Sequence, residues 1–288
     1  MRKSGKKILV LGMMSRPHVA ETIDELRPLL EGLAAEVEVQ DLHVRWDDAE
    51  ASAPAADLAL VVGGDGSILR VSRRLAPSGI PCMGVNTGRL GFLASFQKEN
   101  VAEALPEILA GGGRRVERMM LAVRIEKHTG DYEDYSALND VLLSHGARHR
   151  MIGAVLDVDG QSVATFHGDG ALVATPTGST GHNLAADGPI LEARLEAMVV
   201  TPVCPHALSN RSIVIDGGAK VRLRLASHEH EATCIIDGQV QVPLVQGDIV
   251  RIERSEHRFT LIENWHRTAY DTLREKLHWS QAPYYSKR

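Results

Sequence analysis

Apolar positions fall into two textures along the chain, and the change between them lies near residue 113. The run Ile8-Leu9-Val10-Leu11-Gly12 is continuously apolar and stopped by glycine, as a parallel strand buried on both faces would be. Val19, Ile23, Leu26, Leu29, Leu30 and Leu33 then recur at three- and four-residue spacings, which predicts a helix over 19–33 with one buried face, its exit marked by Gly32. Residues 37–42 alternate as a strand does, and 57–62 form another apolar run that leads straight into Gly63-Gly64-Asp65-Gly66-Ser67. Ile68, Leu69, Val71 and Leu75 continue as a helix, and a further buried run, 80–85, ends at Asn86-Thr87-Gly88. Strand, glycine turn and helix in that order make a βα unit, so the first part predicts an open parallel sheet with helices on its faces.

Beyond a helical 101–109 and Gly111-Gly112-Gly113, short strand-like runs take over: 120–126, 137–144, 152–158, 170–174, 198–202, 213–215, 221–225, 232–236 and 248–254. Leu273 and Leu277, four apart, predict a closing helix over 270–279. The expected division is an α/β phosphate-loop domain over 1–113, a β-rich domain over 114–269, and a helix and tail over 270–288 for which the first domain is the candidate docking surface.

Composition narrows the function classes. A chain of 288 residues has room for two cores, and 44% hydrophobic with 24% charged residues is ordinary for a globular protein. A formal net charge of -5 provides no basic field for nucleic acid. No apolar run is long enough to cross a bilayer, and the basic start Arg2, Lys3, Lys6 and Lys7 leads into a strand rather than a signal peptide, so no membrane partner and a cytoplasmic location are expected. Cys82, Cys204 and Cys234 lack any zinc-ligand or disulfide-framework spacing and read as buried free thiols.

The chemistry concentrates in the glycine turn. Gly63, Gly64 and Gly66 at a strand end let backbone N–H groups approach a phosphate, and the following helix adds its positive end. Asp65 is unexpected there, because a carboxylate beside phosphates repels them unless it receives a proton, meets a metal or binds a hydroxyl. A kinase acting on an alcohol would use it to orient the hydroxyl and accept its proton. The alternative is an Asp that only holds a tight turn. An ordinary P-loop is not supported, since the lysine of that motif is missing.

Gly63-Gly64-Asp65-Gly66-Ser67 together with Asn86-Thr87-Gly88-Arg89-Leu90-Gly91-Phe92-Leu93 resembles the paired N-domain motifs of bacterial NAD kinases. Ala137-Leu138-Asn139-Asp140-Val141, Gly168-Asp169-Gly170, Thr175-Pro176-Thr177-Gly178-Ser179-Thr180 and Thr201-Pro202-Val203-Cys204-Pro205-His206 are similar to the remaining blocks of that family, in order and over nearly the whole chain. The first motif alone is shared with diacylglycerol kinases and phosphofructokinases. The resemblance implies an N-terminal Rossmann-like parallel-sheet domain, a C-terminal β-rich domain, and a cleft where the γ-phosphoryl of ATP is transferred to the 2′-hydroxyl of the NAD adenosine ribose. A divalent cation, Mg²⁺ by expectation, accompanies ATP, with metal ligands unassigned; some members also use polyphosphate, and members assemble as homodimers or homotetramers.

Carried over residue by residue, the resemblance makes Asp65 the acid-base group, with Gly63, Gly64, Gly66 and Ser67 at the phosphates. Asp65, Gly66, Phe92, Asn139, Asp140, Asp169, Thr177, Ser179, Thr180 and His182 would hold NAD. Phe92 suits an adenine face or a core equally, and Asn139-Asp140 suits ribose recognition or a strand-end turn. The chain departs from the family at Gly181-His182, where the threonine is usually followed by Ala-Tyr, and at His167. Two other readings compete. A lipid kinase would need an apolar channel or basic membrane-facing surface that the sequence does not display, and a silent nucleotide sensor would gain nothing from an anion at position 65.

Overall fold

The computed structural model describes residues 4–45, 53–88, 91–145, 151–226 and 232–279. The chain divides into two compact units, one of Met1–Val116 with Thr260–Arg288 and the other of Glu117–Phe259. The second boundary falls inside the strand Ile249–Glu263.

In the first unit, strands Glu36–Asp41, Lys7–Gly12, Leu58–Val62 and Cys82–Asn86 lie side by side and parallel. The far edge of Cys82–Asn86 takes Leu261 and Ile262 at its start and Phe96 and Gln97 at its end, again parallel. Ile8 to Leu11 and Leu60 to Val62 are wholly inaccessible, which explains their unbroken apolar pattern. Helix Pro17–Leu33 starts on proline and buries Val19, Ile23, Leu26, Leu30 and Leu33. Gly12 sets how closely it sits, because a Cβ there would come within 2.7 Å of both Val19 and Ile23. This is the mixed α/β, Rossmann-like arrangement expected from the sequence.

The second unit contains two antiparallel arrays. One runs Gln161–Gly168, Ile152–Val158, Val221–Leu225 and the start of Ile249–Glu263. The other runs Ile213–Asp216, Ala197–Val203, Gly170–Ala174, Asp140–His145, Ala232–Ile236 and Val240–Leu244. Val141, Leu143, Ala171, Val173, Met198 and Val200 meet Ala154, Leu156, Leu223 and Ile252 in a shared core. On the opposite face Leu172, Ala174 and Val199 pack with Leu142, Leu191 and Val203, so Gly170–Ala174 is buried on both sides.

Three local expectations change. The run 137–144 is two strands, Tyr132–Ala137 and Asp140–His145, because the amides of Leu138 and Asn139 turn toward a side chain instead of a neighbouring strand. Cys204 is exposed, at the end of Ala197–Val203 in a turn with φ 45°, whereas Cys82 and Cys234 are buried thiols. Asp65 is the first residue of helix Asp65–Ser78, not part of the preceding loop. No helix among the described residues is long and apolar enough to cross a membrane.

Candidate functional site

Strand Leu58–Val62 ends at Gly63, whose φ of 153° and closeness to Ser67 exclude a side chain: a Cβ would lie 2.5 Å from Ser67 Oγ. The chain then enters the helix through Gly64, with no side chain capping the helix start and Asp65 in the first turn, where a negative charge is favoured. Asp65 does not project freely. Its Oδ2 accepts the N–H of Phe92 at 2.8 Å, and its Oδ1 accepts those of Leu93 at 3.0 Å and Ala94 at 2.9 Å. A carboxylate offers roughly four acceptor positions, so about one, on Oδ2, stays available.

Gly91 makes this clasp possible. A Cβ on it would stand 1.8 Å from Asp65 Oδ1. The two glycine motifs of the first unit are therefore one device, the carboxylate of the first holding the backbone of the second. Phe92 is half-buried, and Lys276 from the closing helix Ala269–Leu277 places its ammonium 5.6 Å from the ring centre. Upstream, Asn86 Oδ1 accepts the Gly88 N–H at 2.7 Å and shapes the turn. Arg89 lies outside the described residues.

The second unit builds a matching clasp from a residue that the sequence reading missed. Buried Asp237 accepts the N–H groups of Leu138 at 3.0 Å, Asn139 at 2.7 Å and Asp140 at 3.2 Å. The loop 175–181 locks onto the same strand end: Thr175 Oγ1 donates to Leu138 O at 2.6 Å, and Thr175 N–H donates to Asn139 O at 2.8 Å. Gly178 lies so close that a Cβ would be 2.1 Å from Asn139 O. Three of the sequence-predicted residues emerge with buried polar atoms that have no hydrogen-bond partner among the described residues, namely Asn139 Oδ1, Asp140 Oδ1 and Thr177 Oγ1. His182 stands beside them, its Nδ1 3.4 Å from Asp140 Oδ1 without a well-aligned hydrogen bond, and that carboxylate raises the imidazole pKa above its ordinary value.

The other predicted residues divide by what their atoms do. Ser179 is fully buried, and its hydroxyl bonds Pro176 O, Leu191 O and the Leu191 N–H, which holds the loop together. Thr180 turns its hydroxyl to Thr177 O at 3.3 Å. Asp169 is partly exposed, its main chain tied to Val203 and His145 and its carboxylate beside the Cys204 thiol, which it pushes to a higher pKa. Gly168 fits against Val203 O and Cys204 O, where a Cβ would be 2.7 Å from each. His167 is exposed and joins this corner only through its carbonyl, which accepts the His206 N–H. Asn183, also missed, is fully buried and links Ser179 O, Pro189 O and Thr201 Oγ1. The signal for Asp237 was present as Asp237-Gly238, a pair that equally marks an ordinary hairpin turn.

Comparison with known proteins agrees with this arrangement. Residues 29–113 match the ATP-NAD kinase N-terminal domain and residues 138–264 the ATP-NAD kinase C-terminal domain. An NAD kinase of Geotalea daltonii is 37% identical over 286 residues, covering 96% of this chain and 99% of that protein. One of Marinobacter nauticus is 42% identical over 225 residues, covering 78% and 76%. An NAD kinase from Archaeoglobus fulgidus, solved in complex with ATP, superimposes with a TM-score of 0.72 at 27% identity over 94% of this chain and 98% of that one. Yeast NADH kinase shares the fold, with a TM-score of 0.84 at 19% identity over 98% and 90%. With both family domains matched and sequence similarity extending from end to end, the chain belongs to the NAD kinase family and is a phosphotransferase.

Proposed function

We propose that this enzyme transfers the γ-phosphoryl of ATP to the 2′-hydroxyl of the adenosine ribose of NAD, giving NADP and ADP. The observation that carries the reading is the group of buried, partnerless polar atoms on Asn139, Asp140 and Thr177. Buried polar atoms are nearly always paired, so such a group calls for a ligand rich in hydroxyl and amine donors, as an adenosine is. Asn139 and Asp140 then receive the adenosine and a ribose, with Thr177, Thr180 and His182 alongside. Asp169 serves the nicotinamide end, and the Phe92 ring lines the base.

The uncapped start of helix Asp65–Ser78, with Gly63, Gly64, Gly66 and Ser67, receives phosphate oxygens. Asp65 directs its remaining acceptor position to the 2′-hydroxyl. As that oxygen bonds to the γ-phosphorus and the bond to the bridging oxygen of ADP breaks, the hydroxyl proton passes to Asp65 Oδ2. Proton transfer of this kind contributes about 10²- to 10⁴-fold, and positioning supplies the larger share. Among the described residues no three His, Cys, Asp or Glu side chains gather as a metal cage. A divalent cation, Mg²⁺ in this reading, would accompany ATP and neutralise charge on its phosphates. Assembly as a homodimer or homotetramer belongs to the same reading, and light scattering measures it.

Purified protein given ATP, Mg²⁺ and NAD is expected to form a product that an NADP-specific dehydrogenase reduces, with phosphorus NMR placing the new phosphate on the 2′ position. A 3′-phosphate, or no phosphorylated dinucleotide, would overturn the reading. Parallel reactions with NADH and with polyphosphate define the acceptor and donor range.

A further inference from the structure

Asp140 is an expensive residue as the structure holds it. The residue is 1% exposed, and among the described residues its Oδ1 has no hydrogen-bond partner. The charge that answers it is the imidazole of His182, whose Nδ1 lies 3.4 Å away, long for a hydrogen bond but well within Coulomb range. The His182 side chain is 54% exposed on its outer side and rests against Gly238, where a Cβ would come within 3.2 Å of Cε1. Gly238 also has φ 66°, so the turn that supplies the Asp237 clasp leaves the ring its place.

We infer that His182 is a positioning residue: as an imidazolium it holds the Asp140 carboxylate in the orientation that receives the substrate, and affinity for NAD weakens when His182 loses its proton. The inference rests on the proposed function.

Among the described residues packed against His182, Asp140 is the charge that faces the ring. Helix His182–Ala185 packs on Gly178–Thr180 and Gly170–Ala174, which carry no ionisable side chain. The turn after Ala232–Ile236 offers Asp237, whose carboxylate is directed to three amides, and then Gly238. The Asp140 carboxylate beside the ring raises the His182 pKa above its ordinary 6.5, with burial opposing. A raised imidazole pKa means that the pairing is complete below the ordinary value and is lost as pH rises through the higher one.

The test measures KM for NAD and kcat on the full chain between about pH 6 and about pH 9, the range that brackets a histidine titration. It also measures the His182 ring titration by NMR in wild type and Asp140→Asn. Wild-type KM is expected to rise about threefold across the window, the loss of charge assistance at a half-exposed pair, while kcat does not follow the same curve. His182→Gln is expected to show a flat KM near the high-pH wild-type value. The ring is expected to titrate above 6.5 in wild type and lower in Asp140→Asn. The same KM rise in His182→Gln, or a ring titrating at or below 6.5, would overturn the inference. Absence of NADP formation by wild type at every pH would instead sink the proposed function, while the ring titration still reports on the pair.

Discussion

The two units each contain a carboxylate that accepts three consecutive backbone N–H groups: Asp65 holds Phe92 to Ala94, and Asp237 holds Leu138 to Asp140. Their settings differ. Asp65 is partly exposed at a helix start with about one acceptor position to spare, whereas Asp237 is 5% exposed in a turn with φ 50°. One motif thus serves two ends. In the proposed reading, the clasp of the second unit fixes backbone beside the side chains that receive the ligand, and in the first the clasping carboxylate itself is offered for chemistry. An anion beside phosphates costs less when amide dipoles already surround it, so the clasp would make Asp65 tolerable at a helix start proposed to receive phosphate.

The comparison can be broken by removing either clasp. Gly91→Ala drives a methyl into Asp65 Oδ1, displaces the carboxylate, and is expected to lower kcat about 10²-fold, the usual loss for a misplacement near 1 Å. Steady-state NADP formation reads it, with thermal unfolding to confirm a folded protein. Asp237→Asn keeps the shape but turns one acceptor into a donor facing an amide. It is expected to raise KM for NAD about tenfold and to lower unfolding free energy by about 2 kcal/mol, measured by kinetics and urea titration. If it lowered kcat alone, Asp237 would belong with Asp65 rather than with the scaffold.

Asp248 provides the smallest effect and the control. Burial works against its charge, but the His128 and Val245 amides and the His128 ring outweigh it and hold the carboxyl below its ordinary value. A lowered folded pKa means stability that is present above the unfolded value of 3.8 and lost as pH falls through the lower one. Asp248→Asn is expected to cost about 1 kcal/mol in urea unfolding at neutral pH, with the difference shrinking below pH 4, and to leave NADP formation unchanged.

Much of this was legible because one force dominated locally. The buried parallel strands announced themselves as unbroken apolar runs, and the Gly63 to Ser67 turn as glycine beside an anomalous carboxylate. Strand Gln161–Gly168 was not legible, since its first three residues are exposed and its alternation is weak. Val240–Leu244 was hidden by Pro243, which an edge strand tolerates. Asp237 escaped because its partners are main-chain amides about a hundred positions away, and no periodicity reports such a contact. The bonds that the Ser179 hydroxyl makes inside its own loop were not legible either, because they depend on packing.

Asp65 is the proposed proton acceptor, and Asp65→Asn tests that role most directly, with turnover and NAD dissociation constant measured on the same preparation. The prediction is a loss of at least about 10²-fold in kcat with the dissociation constant changed by less than about threefold, the pattern of a group that acts in the transition state. Turnover within a few-fold of wild type would contradict it and leave Asp65 as a brace for the backbone of Phe92 to Ala94.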